Sequence, residues 1–128
     1  MRGSLERMDI KLELVIIPVS DVDRAKAFYT GIGFNADFDE SPSEGIRFVQ
    51  LTPPGSACSI ALGQGITTAT PGSVEGLQVV VASAEEARRH LLAAGLEIAE
   101  VTDLGWGKFV FFADPDGNKW AVQELPKH

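Results

Sequence analysis

The stretch PVSDVDRAKAFYTGIGF, Pro18 to Phe34, decides the fold, because a second version of it, VVASAEEARRHLLAAGL, runs from Val80 to Leu96, 62 positions further on. Val19 falls on Val81, Asp21 on Ser83, Ala25 on Ala87, Tyr29 on Leu91 and Gly33 on Gly95. In the first copy Ser20 and Asp21 offer N-cap oxygens, and Val22, Ala25, Phe28, Tyr29 and Ile32 recur at helical spacing up to a glycine stop. In the second, Ser83 and Glu86 make a Ser-x-x-Glu capping box. A repeat of this length marks two copies of one supersecondary unit.

Reading outward, Leu12 to Val19 (LELVIIPV) is β-branched and apolar on both faces, as a strand covered on each side would be, and Pro18 places its end. After the first helix come a polar stretch, Asp37 to Gly45, then IRFVQL, the turn TPPGS and CSIALG, two strands around a Pro-Gly turn. The later FVFFADPDGNKWAVQ matches FVQLTPPGSACSIAL as strand, turn, strand. The expected organisation is one α+β domain, 1–128, of two tandem βαβββ modules, 9–63 and 74–125, joined by a Gly/Thr/Ser/Pro-rich linker, 64–73. MRGS at the start looks like a vector leader, so residues 1–7 are left out of the fold argument.

The chain has 128 residues, 45% hydrophobic and 23% charged, the composition of one ordinary globular domain. Its net charge of −7 repels nucleic acid and anionic membranes, so neither is expected as a partner. One cysteine, Cys58, excludes an internal disulfide framework and a Cys-rich zinc cluster, and points to the reducing cytoplasm. No apolar run approaches the roughly 20 residues of a membrane helix.

The tandem βαβββ modules, the PVSDVDRAKAFY opening and the late FFADPDGN turn resemble the vicinal oxygen chelate superfamily, which includes glyoxalase I, extradiol dioxygenases and bleomycin resistance proteins. The resemblance implies two half-barrel sheets facing one another with a ligand cleft between them. In metal-dependent members a His or Glu on the first and last strand of each module binds one divalent ion that polarises substrate oxygens. The matching positions here are Leu14, Gly76, Ala121, and Ser59 or Ala61, none of which is a competent ligand for such an ion. His90 lies in the second helix and His128 is the last residue, so neither histidine stands on a cleft strand. No metal and no cofactor is therefore expected.

With Leu14 on the cleft side, strand alternation adds Leu12, Ile16, Gly76, Gln78, Val80, Ala121 and Gln123. Hairpin pairing adds Phe48, Gln50 and Ser59 in module one, and Val110 and Phe112 in module two. Gln78 and Gln123 either orient a ligand or bond each other. Trp106, between Gly105 and Gly107, either stacks on a planar ligand at the cleft mouth or plugs an interface. Trp120 packs as core. Glu13 faces away from Leu14, towards solvent or a dimer partner, and Cys58 reads as a small buried residue. Asp114 and Asp116 serve a turn rather than a calcium loop.

The expected function is metal-free binding of a small apolar or aromatic molecule in the cleft of a homodimer, resembling bleomycin-resistance-type sequestration. The alternative is a superfamily enzyme, an isomerase, epimerase or lyase, working without metal through a carboxylate, Tyr29, or a water held by Gln78 and Gln123. A structural partner domain, its cleft filled by its own side chains, is a third reading.

Overall fold

A computed structural model describes residues 7–127. Of the leader expected at 1–7, residues 1–6 lie outside the described residues, as does His128. Module one consists of β1 (Leu14–Ile16), α1 (Val22–Gly31), β2 (Asn35–Ser43), β3 (Ile46–Thr52) and β4 (Ser59–Gln64). Module two repeats the order with β5 (Leu77–Val81), α2 (Ala84–Ala93), β6 (Thr102–Asp103), β7 (Lys108–Ala113) and β8 (Lys119–Glu124). Each forms one mixed sheet, in the orders β1-β4-β3-β2 and β5-β8-β7-β6, with the first strand parallel to the last. The polar stretch after α1 is itself a strand: β2 is exposed throughout and is held by antiparallel pairing to β3.

The helix signals act as read. Asp21 accepts from the Arg24 N–H at 3.1 Å, and Ser83 accepts from the Glu86 N–H at 3.1 Å. Both helices end alike, with Phe34 N–H donating to Tyr29 O at 3.0 Å and Leu96 N–H to Leu91 O at 3.1 Å. The intervening Gly33 (φ 107°) and Gly95 (φ 96°) take the left-handed conformation that makes this reversal possible.

The helices cover one face of the sheets. The core holds Val49, Leu51, Ile60 and Leu62 of the first sheet, Val110, Trp120 and Val122 of the second, and Ala25, Tyr29, Ile32 and Leu91 from the helices. One buried polar network crosses between the modules. Asp114, 5% exposed, accepts from the Tyr29 hydroxyl (2.8 Å), Asn118 Nδ2 (2.8 Å), and the backbone N–H groups of Asp116 (3.0 Å) and Asn118 (2.9 Å). Trp120 Nε1 donates to the Tyr29 oxygen at 3.0 Å, and Asn118 Nδ2 donates to Pro18 O at 2.9 Å. Ser20 adds a hydroxyl bond to Asp116 at 2.6 Å. The DPDGN turn of module two thus seats on the PVSD junction of module one. Among the described residues, no helix is long and apolar enough to cross a membrane.

Candidate functional site

The face of each sheet away from the helices is left open, and side-chain alternation determines what it presents. In module one Leu14 pairs with Ser59, and one cross-sheet row runs Ile16, Ala61, Gln50, Phe38. Phe48 lies beside that row, opposite Gly63. In module two the matching row runs Gln78, Ala121, Phe111, with Gln123 opposite Phe109 alongside. Leu14, Ile16, Phe48, Gln50 and Ser59 therefore share one open face, and Gln78, Ala121 and Gln123 share the other. Exposed apolar groups mark both: Ile16 and Phe38 on the first, Val80, Phe111 and Trp106 on the second.

Phe112 does not join them. Its side chain points to the helix side, stacked on Trp120 with ring centroids 5.6 Å apart and 6.2 Å from Phe28, and Val110 is buried on the same side. The residues that do occupy the open face are Phe109 and Phe111, stacked at 5.8 Å. The slip has a countable cause. Ile16 corresponds to Gln78, 62 positions on, but Gln50 corresponds to Phe111, 61 on, and Ala61 to Ala121, 60 on. One residue drops out between the helix and the third strand, ahead of Phe112. A second drops out in the hairpin, where six residues (53–58) separate β3 from β4 and five (114–118) separate β7 from β8. Gln50 corresponds to Phe111, and counting back through the DPDGN turn from Ala121 leads to it.

The same pairing makes Ala61 the counterpart of Ala121, since Ile16 pairs with Ala61 and Gln78 with Ala121. Leu14, Ala61, Gly76 and Ala121 offer no side-chain donor atom, so these residues do not fit a divalent ion. Among the described residues no three His, Cys, Asp or Glu side chains come together as ligands.

Polar chemistry on the open faces comes from amides and hydroxyls, with one carboxylate, Asp37, at the end of the module-one group. Gln78 Nε2 donates to Gln123 Oε1 at 2.8 Å, and Gln123 Nε2 donates to the Trp106 carbonyl at 3.0 Å, so the two glutamines do bond each other. Gln123 is 8% exposed and the chain at Gly107 presses against it: a Cβ there would lie 2.3 Å from Gln123 Nε2. Trp106, 65% exposed, stands edge-on to Phe109 at 6.5 Å. Gln123 is thus what ties the Trp106 loop to the sheet. Substituting Gln123→Met keeps the length but removes this tie. Acrylamide should then quench Trp106 fluorescence more strongly, and the melting temperature should fall by several degrees, since the two bonds lost with Gln123 are worth about 1 kcal/mol each. Unchanged quenching would show that the loop is held by other contacts.

On module one, Thr52 donates to the Asp37 carboxylate, Ser59 Oγ lies 2.6 Å from Thr52 Oγ1, and Gln50 Nε2 donates to Ser59 Oγ at 3.3 Å. Tyr29 stands apart from both faces. It is fully buried, and burial together with the adjacent Asp114 carboxylate raises its pKa far above the ordinary tyrosine value, so it is no acid or base at neutral pH. Glu13 is exposed and half-buried Cys58 borders the seam between the modules. There a mainly apolar cavity of about 270 Å3 opens between Val15, Ser59 and Ile60 of module one and Leu77, Gln78 and Val79 of module two. A larger groove of about 630 Å3 lies elsewhere, between the start of α1 and residues 63–71. Its arginine, Arg47, is already paired with Asp23 at 2.9 Å and Asp39 at 2.8 Å.

Solved structures share this architecture. TnmS3, an antibiotic binding protein from Streptomyces sp. CB03234, is 30% identical over 94% of this chain and 100% of its own, with a TM-score of 0.84. A glyoxalase/bleomycin resistance protein from the same organism is 31% identical over 88% of this chain and 99% of its own, at 0.77. A member of the superfamily from Sphaerobacter thermophilus DSM 20745 is 29% identical over 92% and 99%, at 0.81. No curated protein matches the chain. The family model for the Glyoxalase/Bleomycin resistance protein/Dioxygenase superfamily matches residues 11–122. With its two βαβββ modules and their open-faced sheets, the chain belongs to that superfamily.

Proposed function

We propose that this protein binds a small, largely aromatic molecule against the open faces of its sheets and releases it chemically unchanged, as a homodimer in which a second copy covers those faces. The observation that carries the reading is the aromatic wall of exposed Phe111 and Trp106, backed by buried Phe109, whose polar neighbours are amides rather than acids or bases. Flat hydrophobic surfaces with a few fixed polar groups suit a planar ligand. The likeness to TnmS3, an antibiotic binding protein, supports an antibiotic as the ligand class. Conversion of the ligand by metal-free acid–base chemistry loses support because Tyr29, the phenol available for it, is locked in the core. The absence of donors at the four ligand positions favours binding without a metal, and the single thiol favours the cytoplasm.

The test is a titration of the protein with planar aromatic antibiotics, followed by tryptophan fluorescence, with mass analysis of the recovered compound. A saturable change with unaltered compound is expected. Trp106→Ala should weaken the binding by about tenfold or more, as loss of an aromatic anchor does. Appearance of a product would instead make the protein an enzyme.

A further inference from the structure

Each open face carries a chain of hydrogen bonds that ends on a group able only to accept, and the end fixes the direction of the whole chain. On module two the end is the Trp106 carbonyl. Gln123 must turn Nε2 towards it, its Oε1 then faces Gln78, and Gln78 must donate through Nε2. On module one the end is the Asp37 carboxylate. The Thr52 hydroxyl donates to it, the Ser59 hydroxyl then donates to Thr52, and Ser59 is left to accept from Gln50 Nε2.

Both chains leave the same atom unclaimed. Among the described residues no group donates to Oε1 of Gln50 or of Gln78, each on a strand of an open face. The rows are complementary as well: Ile16, Ala61, Gln50 in one module against Gln78, Ala121, Phe111 in the other, with amide and apolar ends exchanged. Each glutamine also donates into a polarised chain, and its oxygen becomes a better acceptor for that.

We propose that Gln50 and Gln78 determine specificity in the cleft, which selects flat molecules carrying hydrogen-bond donors on their edges (hydroxyl, amino or ring N–H) over isosteres that only accept. This rests on the open faces being the ligand site. A ligand that covers a glutamine oxygen without donating to it strands a desolvated acceptor, whereas a donor satisfies it.

The experiment titrates the full chain with 2-naphthol and with 2-methoxynaphthalene, the same ring with and without a donor, followed by proton–nitrogen NMR. Tighter binding of 2-naphthol by about tenfold is expected, the worth of one satisfied buried acceptor, with shifts centred on the Trp106 indole and the Gln50 and Gln78 side-chain amides. Gln50→Met with Gln78→Met should bring the two affinities within about twofold while 2-methoxynaphthalene still binds. Gln78→Met alone, at an exposed position, should lessen the preference even where the double substitution impairs folding. Equal affinities in the native protein, or an unchanged preference in Gln78→Met and the double variant, would overturn the proposal while leaving the site in place. Binding of neither compound, or binding remote from Trp106, would overturn the site and the proposal together.

Discussion

Asp114→Ala is expected to cost on the order of 4 kcal/mol of folding stability, because a buried carboxylate that accepts four hydrogen bonds leaves every donor behind when it goes. Two of those donors are backbone N–H groups of the DPDGN turn itself, one is Asn118 Nδ2 and one is the hydroxyl of Tyr29, at 0% exposure in the other module. Water cannot reach the stranded groups without opening the joint between the modules. The more conservative Asp114→Asn keeps an acceptor on one side but turns an amide N–H towards one set of donors, so it should lose roughly half as much. Tyr29→Phe should cost about 2 kcal/mol, since it removes one donor to Asp114 and the acceptor of Trp120 Nε1. Urea denaturation of the three variants checks this order, and the double variant Tyr29→Phe with Asp114→Asn should show coupling of 1 kcal/mol or more, at about the scale of contacting pairs. Equal, small losses in all three would mean that the modules are joined by apolar packing alone.

That network also shows where sequence reading stops. The repeat, both helix caps and the helix-terminal glycines were legible because each depends on residues within a few positions of one another. Asp114 was recognisable as a turn residue, a local role it does perform through Asp116 and Asn118. Its partner Tyr29 lies 85 positions away and reads only as one more apolar residue on a helix. The cleft residues fall between these cases. Alternation on a single strand placed Leu14, Ile16, Gln78, Ala121 and Gln123 on open faces, but the 62-residue offset carried on to the third strand failed at Phe112, because one residue is lost between α2 and β7 and a one-residue slip reverses every side chain. Strand β2 is counted in the βαβββ pattern, but its residues do not show themselves as a strand: all nine are exposed, so no apolar alternation announces them. The direction of the hydrogen-bond chains was out of reach for sequence, since it is set by Trp106 O and Asp37, groups brought in by tertiary structure.

Gly72→Ala is the second substitution with a large expected effect, and it concerns the segment that composition marks as a linker. That segment is fastened at its end: Gly72 N–H donates to Pro18 O at 3.1 Å, and Val74 N–H donates to Asn118 Oδ1 at 3.1 Å. Gly72 has φ +82°, and a Cβ on it would stand 2.1 Å from the backbone carbonyl of Asp116. Alanine therefore meets two costs, the left-handed backbone, about 1–2 kcal/mol, and displacement of the turn that joins the modules. Gly55 separates them. Its φ is +81°, nearly the same, yet a Cβ there meets nothing within 4 Å. Gly55→Ala should lose only the backbone cost, whereas Gly72→Ala should lose about 3 kcal/mol, the excess reflecting the shifted turn and its buried hydrogen bonds. Thermal unfolding of the pair measures the difference, and amide exchange at Asn118 should accelerate in the Gly72 variant alone. Equal losses at the two sites would mean that the turn yields freely and that residues 64–73 do not hold the modules in register. A clear excess at Gly72 would make the segment a strap, with the distance between the two open faces set by how tightly it is drawn.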